Sequence, residues 1–184
     1  MNTVEPIRDK GTVVDIGEYM KEKSMRNYVM YMIGIYSGLR ISDILRLRVR
    51  DVRGVDVITV TEQKTGKEKR FPVGRDLKKV ITDYIRDKKD YEYLIRSTMP
   101  GVYNKPITRQ QAYKILNDAG RKFGVEKLGT HSMRKTFGYH FYKQTGNLGM
   151  LMKIFNHASE YVTLAYIGAA QDDMMSAMKR FSYN

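Results

Sequence analysis

The sequence predicts a mainly helical domain with one small antiparallel β-sheet, an α+β arrangement. Apolar residues recur at the three- and four-residue spacing of amphipathic helices, for example at Tyr28, Met32 and Ile35. One β-branched stretch, 55–61, departs from this spacing and is followed by a turn sequence and a second strand candidate. The length of 184 residues suits a single domain with one hydrophobic core.

The first third of the chain is expected to begin with a polar segment and two helices. Residues 1–14 are interpreted as a lead-in or linker remnant, and a short helix is predicted over 15–23. Ser24 is a plausible N-cap for a stronger helix that runs to Ser37. Gly38 then ends this helix, because glycine readily adopts the left-handed conformation of a helix C-terminus.

The remaining elements are one hairpin and seven helices. Strands are predicted over 55–61 and 67–73, with Gly66 at the position where a hairpin turn needs positive φ. Further helices are predicted over 40–47, 76–88, 108–123, 130–144, 147–155, 159–166 and 172–181.

The charge balance favours a polyanionic partner. Lys and Arg total 33 against 20 Asp and Glu, which gives a net charge of +13 and a pI of about 9.8. Nucleic acid is the commonest partner of such a surface. A membrane is the alternative, but no apolar run reaches the roughly 18 residues of a spanning helix. The polar opening and the absence of cysteine agree with a soluble intracellular protein.

One candidate cationic residue, Arg40, comes before the predicted hairpin, and another, Lys64, lies in it. Arg40 follows a helix break, where its side chain could reach into a cleft, although an isolated arginine is more often a surface residue. Asp43 lies one helical turn later and either orients Arg40 or forms an ordinary surface pair. Lys64, at the hairpin tip, is either a solvated charge that discourages edge pairing or an ammonium delivered to a DNA phosphate.

Two histidines lie at helix ends. His131 and Arg134 share a helix face, and a phosphate would satisfy both, since a cation disfavours protonated histidine. The alternative is a capping region with a partly buried histidine. His157 lies in a joint that Asn156 can end in the left-handed conformation and Ser159 can cap. A histidine in such a joint is commonly structural, but it can also be held at the rim of a site.

Tyr166 is one of fourteen tyrosines. A phenol, whose pKa is ordinarily about 10, is a poor nucleophile at neutral pH. It becomes useful when the charge of the attacked phosphate is neutralised and the phenolic proton has an acceptor. Two arginines, a lysine and two histidines are suitable partners for this chemistry.

The order of these residues resembles the catalytic domain of the tyrosine recombinase (phage integrase) family. The pattern is Gly-Leu-Arg-x-x-Asp, a hairpin Lys, His-x-x-Arg, a second His and a Tyr nine residues later. The matching residues are Arg40, Asp43, Lys64, His131, Arg134, His157 and Tyr166. The resemblance spans about 15–181 and implies the family's catalytic-domain fold over 15–184, with the family's N-terminal core-binding domain absent. One departure is Phe155-Asn156, where the family usually has Leu-Gly.

The resemblance implies a site-specific recombinase or integrase that forms a 3′-phosphotyrosine intermediate through Tyr166. Arg40 and Arg134 would brace the non-bridging phosphate oxygens. The tyrosine lies between a joint and a helix that can exchange, so it can be displaced when DNA is absent. No cofactor and no metal are expected, because the phosphotyrosine bond conserves the energy needed for rejoining. A phage, mobile element or prokaryotic genome would encode the protein, which would act in the prokaryotic cytoplasm or nucleoid.

The resemblance also implies roles for the other site residues. Lys64 would protonate the departing 5′ oxygen, His131 would act as general base or proton shuttle, and His157 would hydrogen-bond the phosphate. The residues expected to contact DNA without catalysing are Lys67, Lys69, Arg70 and Lys135.

The expected partners are double-stranded DNA and further copies of the chain. An apolar stripe on the last predicted helix comprises Met174, Met175, Met178 and Phe181. It either folds onto its own core or docks on a neighbouring protomer in a homotetramer on DNA, while the isolated domain is expected to be a monomer. The alternative functions are a type IB topoisomerase-like enzyme, which relaxes DNA without exchanging partners, and a non-catalytic DNA-binding module.

Overall fold

A computed structural model describes residues 4–182 of the chain. The described residues form ten helices and one two-stranded sheet, which confirms the predicted α+β class. The helices are α1 (Lys10–Lys23), α2 (Met25–Ser37), α3 (Ile41–Arg46), α4 (Val49–Val52), α5 (Arg75–Ile85), α6 (Arg109–Lys122), α7 (Thr130–Thr145), α8 (Leu148–Phe155), α9 (Glu160–Ile167) and α10 (Ala169–Arg180). The strands are β1 (Val57–Thr61) and β2 (Glu68–Pro72). In residues 4–182 no helix is long and apolar enough to cross a membrane.

The first helix begins earlier than the sequence indicated. Asp9 caps α1 by accepting hydrogen bonds from the backbone N–H of Thr12 at 2.6 Å and from its hydroxyl at 2.9 Å. The predicted start at residue 15 was wrong, because this cap offsets the low helix propensity of Gly11 and the β-branched residues after it. The short helix α4 was not predicted, and the other boundaries agree to within three residues.

The segment before α1 packs on the domain. Ile7 is buried, and its backbone N–H donates to the hydroxyl of Thr136 on α7 at 2.9 Å. Arg8 forms an ion pair of 3.0 Å with Asp172 on α10. Two residues of the segment 1–14, which was interpreted as a lead-in or linker remnant, therefore contact the helical domain.

Helix α2 forms the centre of the main hydrophobic core. Every residue from Tyr28 to Gly34 is buried, so the helix is covered on all sides. It packs against α1, α5 and α7. A second, smaller core lies between α7, α8 and α9 and contains Leu151, Phe155 and Ile167. Tyr166 packs against this second core, which therefore fixes the position of α9.

The predicted hairpin is confirmed. Strands β1 and β2 pair antiparallel with Ile58 opposite Phe71 and Val60 opposite Lys69. Gly66 has φ of 66°, the left-handed conformation that the turn was expected to need. The buried side chains Ile58 and Phe71 join the main core, so one face of the hairpin lies against the domain.

A substitution at Gly138 tests the packing that holds α9. A Cβ at this position of α7 would lie 2.7 Å from both the Phe155 ring and the Ile167 side chain. We expect Gly138→Ala to lower the free energy of unfolding by about 1–3 kcal/mol, because both neighbours are fully buried. Urea denaturation measures this loss. The control is Gly149→Ala on α8, whose new Cβ meets no atom closer than 3.9 Å; equal stability of the two variants would contradict the packing.

Candidate active site

Arg134 is the buried centre of the site. It is 3% exposed and lies on the first turns of α7. Its guanidinium donates to the Gly38 carbonyl at 2.6 Å and to the Phe155 carbonyl at 3.1 Å, and it lies 4.2 Å from the centroid of the Phe155 ring. Burial lowers the pKa of Arg134, while the Tyr166 phenol acts in the opposite direction. These contacts hold the guanidinium between the C-terminal ends of α2 and α8, where carbonyl dipoles favour a cation.

Tyr166 lies beside this arginine. Its ring makes edge contacts with Phe155 and His157, at centroid distances of 5.6 and 5.2 Å. The same Phe155 ring also contacts the Arg134 guanidinium, at 4.2 Å from its centroid, so the tyrosine and the arginine are neighbours. Burial raises the pKa of Tyr166, and the positive charges of Arg134 and Arg40 oppose that rise. The hydroxyl is therefore neutral at pH 7, and the charges of both arginines act on it.

Arg40 pairs with a glutamate that sequence reasoning missed. Its guanidinium donates to Glu62 Oε1 at 2.5 Å, and the Glu62 side chain is fully buried. Asp43 does not orient Arg40: it is buried, and its Oδ1 accepts from the backbone N–H of Gln63 at 3.0 Å. The interpretation of Asp43 as a surface residue was wrong, because α3 turns this carboxylate toward the turn of the hairpin.

Two of the four lysines and arginines predicted to contact DNA point inward. Lys69 is 15% exposed at its side chain, donates to Glu62 at 2.9 Å and also donates to the Ile154 carbonyl. Burial lowers the pKa of Lys69, while its hydrogen bond with Glu62 acts in the opposite direction. Lys135 is 6% exposed, with its ammonium 5.2 Å from the centroid of the Tyr166 ring. These placements do not support a direct contact between either lysine and a DNA groove.

The hairpin tip carries exposed cations. Lys64 is exposed in the turn between β1 and β2 and makes no hydrogen bond or ion pair within residues 4–182. The structure therefore does not bring it to Arg134 and Tyr166. Lys67 and Arg70 are exposed as well, and Lys67 donates to the Asn156 side chain at 2.9 Å. For these three residues, contact with DNA stays a prediction.

His131 is the outermost residue of the group. It is the second residue of α7, and its side chain is open to solvent on one side. Partial burial and the positive charges of Arg109 and Arg134 lower the pKa of His131. The imidazole is therefore neutral at pH 7 and able to accept a proton.

His157 has a fixed tautomer. Its Nδ1 lies 3.1 Å from the hydroxyl of Thr163, and that hydroxyl donates to the Ser159 carbonyl at 3.0 Å. Because the single hydroxyl proton is already used, Nδ1 carries the hydrogen and Nε2 carries the lone pair. Burial, Arg134 and Arg40 lower the pKa of His157.

The joint that holds His157 forms as predicted. Asn156 has φ of 56° and ψ of 48°, the left-handed conformation that ends α8. Ser159 caps α9 by accepting from the Val162 backbone N–H at 3.2 Å. Asparagine therefore replaces the family's glycine here without loss of the helix end.

The inward direction of Glu62 and Lys69 has a signal in the sequence. Side chains of a strand alternate between its two faces. Glu62 continues the alternation of the buried residues Ile58 and Val60, and Lys69 shares a face with Phe71. This period of two placed both charged side chains on the inner face of the hairpin.

The arrangement suits a phosphate with an adjacent phenol. Arg40, Arg134 and Lys69 provide positive charge at the site, and within residues 4–182 Glu62 is the one carboxylate that forms an ion pair with any of them. Guanidinium groups match the geometry of phosphate oxygens. In the described part of the chain, no group of three or more His, Cys, Asp or Glu side chains is arranged to hold a metal ion.

Known proteins share this sequence pattern and fold. The model of the phage integrase family matches residues 9–172. The chain is 42% identical over 181 residues to the probable integrase/recombinase YoeC of Bacillus subtilis (strain 168), with 98% of each chain covered. It is 23% identical to the tyrosine recombinase XerA of Pyrococcus furiosus, over 89% of this chain and 57% of that protein.

Solved structures of recombinases share the fold of this chain. A crystal structure of XerA recombinase gives a TM-score of 0.73 at 20% identity, covering 97% of this chain and 67% of that one. A lambda integrase tetramer bound to a Holliday junction gives a TM-score of 0.68 at 15% identity, covering 90% and 49%. The chain thus spans almost all of YoeC and about half of several longer recombinases. With a family model matched over most of its length and a relative of 42% identity, this chain belongs to the phage integrase family, the tyrosine recombinases.

Proposed function

We propose that this chain is the catalytic domain of a site-specific DNA recombinase that cleaves and rejoins strands through a 3′-phosphotyrosine bond at Tyr166. The observation that carries the proposal is that the Arg134 guanidinium and the Tyr166 ring both pack on Phe155, so the phenol lies next to the buried arginine, and the positive charge of Arg40 also acts on it. The domain includes Ile7 and Arg8, which pack on α7 and α10. Its DNA substrate would place it in the prokaryotic cytoplasm or nucleoid.

The chemistry follows from the positions of these groups. The Tyr166 oxygen attacks the phosphorus, and the bond from phosphorus to the 5′ oxygen breaks. Arg40 and Arg134 stabilise the charge that grows on the non-bridging oxygens. The neutral imidazole of His131 accepts the phenolic proton, and Lys64 donates a proton to the departing 5′ oxygen. Rejoining is the reverse reaction and needs no external energy source.

Lys64 must approach the phosphate when DNA binds. Its exposure at the tip of the hairpin supports this role, because a side chain that is open to solvent is available to a ligand. Lys67 and Arg70 lie on the same hairpin and would contact the backbone of the duplex. The net charge of +13 adds an attraction that does not depend on DNA sequence.

DNA binding is expected to raise the pKa of His157. The free ring is neutral and its Nε2 has no hydrogen to donate, so a hydrogen bond to phosphate requires protonation. A nearby phosphate favours the protonated form and opposes the lowering by Arg134 and Arg40. Titration of the histidine ring signals by NMR, with and without a short duplex, measures the change. An unchanged or lower pKa of His157 in the complex would contradict the expected hydrogen bond between His157 and the phosphate.

Neighbouring protomers are proposed to meet through α10. Its apolar stripe is exposed, with Met174 at 55%, Met175 at 49% and Met178 at 67% of full exposure. The stripe therefore does not fold onto its own core, although Lys143 holds the start of the helix through Asp173 at 2.6 Å. The tetrameric lambda integrase bound to a Holliday junction supports a homotetramer on DNA, and the exposure of the stripe supports its docking on an adjacent copy.

Strand exchange distinguishes the proposed function from its alternatives. Covalent capture from a library of nicked duplexes identifies a cleaved site, and two duplexes of different length are then built around it. We expect hybrid-length products, because a recombinase joins a strand to a new partner. Cleavage without hybrid products, together with relaxation of a supercoiled plasmid that carries the site, would indicate a type IB topoisomerase-like enzyme. Binding without an SDS-resistant adduct would indicate a non-catalytic module.

A further inference from the structure

Glu62 is a buried carboxylate at the centre of the cationic site. Its side chain has no exposed surface and follows directly after β1. Oε1 accepts from Arg40 at 2.5 Å and from Lys69 at 2.9 Å, and Oε2 accepts from the Thr65 hydroxyl at 2.7 Å. Burial raises the pKa of Glu62, but the hydrogen bonds from Lys69 and Thr65 outweigh it and hold that pKa below its ordinary value.

Lys69 extends this contact to a third element. Its ammonium binds Glu62 and also the carbonyl of Ile154, close to the C-terminal end of α8. The joint after α8 carries His157, whose pKa is lowered in part by Lys69. Glu62 and Lys69 therefore connect three parts of the site: Arg40 at the start of α3, the hairpin, and the joint with His157.

The carboxylate has a physical reason to lie there. The positive charges of Arg134 and Arg40 contribute to lowering the pKa of Lys69, and that of Arg40 contributes to lowering the pKa of Arg134. Like charges repel, and without a counter-charge the flexible side chains would move apart into solvent. Arg134 is held by two backbone carbonyls, whereas the Arg40 side chain is 19% exposed and pairs with Glu62. Glu62 holds Arg40 through a charge-assisted hydrogen bond.

We propose that Glu62 is a positioning residue for DNA cleavage: its buried carboxylate fixes the Arg40 guanidinium where it meets the attacked phosphate, and Lys69 and Thr65 tie this contact to the hairpin. Glu62 does not touch the phosphate and acts through Arg40. The inference rests on the proposed function, since it assigns Arg40 to the phosphate. Lys69 is accordingly a part of the site's framework and not a residue of the DNA groove.

The test compares single-turnover cleavage of two nicked duplexes at saturating protein. One has a normal phosphodiester at the mapped site, and the other has a neutral methylphosphonate. We expect Glu62→Ala to slow phosphodiester cleavage about 100-fold, the cost of a misplaced catalytic group. Most of this loss should disappear on the methylphosphonate, because that substrate lacks the charge that Arg40 offsets. Arg40→Ala should likewise lose much more activity on the phosphodiester than on the methylphosphonate.

Three further variants keep the test independent of folding. Glu62→Gln retains an oxygen that can accept from Arg40, so its loss should be intermediate. In an Arg40→Ala background, Glu62→Ala should add little, because residues that act as a unit are not additive. Glu68→Ala is the matched control, since this glutamate is exposed on the same hairpin and should leave both rates unchanged.

The outcomes separate the two proposals. If the unmodified chain forms no covalent adduct, the proposed function fails. If it forms the adduct, an equal loss on both substrates would reduce Glu62 to a folding role and overturn the positioning role. A Glu62→Ala rate at or above that of the unmodified chain would also overturn it, because the carboxylate would then block the phosphate site.

Discussion

Replacing Tyr166 by phenylalanine is expected to abolish the covalent protein–DNA adduct while DNA binding is retained. The ring contacts with Phe155 and His157 do not involve the hydroxyl, so the second core should stay packed. Arg134 keeps its bonds to two carbonyls when the phenol oxygen is removed. The reaction loses its nucleophile, and we expect adduct formation to fall by about 10⁴-fold or more.

A duplex with a nick beside the cleaved phosphate makes this loss visible, because the released fragment diffuses away and the adduct accumulates. The adduct is measured on SDS gels, and binding is measured by gel shift. Tyr161→Phe is the matched control: this tyrosine lies on the same helix and is 79% exposed. It should form the adduct normally. An adduct that persists in Tyr166→Phe would show that another group attacks the DNA.

The second large effect is expected at Arg134. Arg134→Lys keeps the charge but loses the planar fork, so it cannot bind the Gly38 carbonyl, the Phe155 carbonyl and a phosphate together. We expect the single-turnover cleavage rate to fall by about 10²–10³-fold, the usual cost of removing one donor to a developing oxyanion. Non-specific DNA affinity should change little, since the net charge is unchanged.

A measurement of stability separates the two roles of this arginine. The same side chain joins the ends of α2 and α8, so part of the activity loss could reflect a loosened site. Urea denaturation of Arg134→Lys reports that part. Arg121→Lys is the control, because Arg121 is exposed on α6. If the cleavage rate of Arg134→Lys stays within about threefold of that of the unmodified chain, the loss expected for an oxyanion donor is absent. Arg134 would then have no catalytic role.

Local signals predicted the hairpin and the joint correctly. Gly66 and Asn156 adopt left-handed conformations that depend on the residue itself, and Ser159 caps the helix that it begins. Such preferences operate within a few residues, so they can be read without knowledge of the fold. The order of Arg40, Arg134 and Tyr166 then indicated the family, and the structure brings these three side chains together.

Contacts between distant segments were not predictable in the same way. Arg40 is 22 residues from Glu62, and Lys69 is 85 residues from Ile154, so the choice of Glu62 over Asp43 depends on how α3 packs against the hairpin. Alternation along β1 and β2 did place Glu62 and Lys69 inward, but charged residues at such positions are ordinarily assigned to solvent. The Arg8–Asp172 pair, 164 residues apart, likewise had no local signal.

The most direct measurement of the central claim identifies the atom that is joined to DNA. A trapped adduct is digested with protease and nuclease, and the modified peptide is sequenced by mass spectrometry. We predict a nucleotide attached through its 3′-phosphate to the oxygen of Tyr166, together with a released strand whose 5′-hydroxyl accepts label from a kinase without prior phosphatase treatment. Attachment to any other residue, or through a 5′-phosphate, would contradict the account.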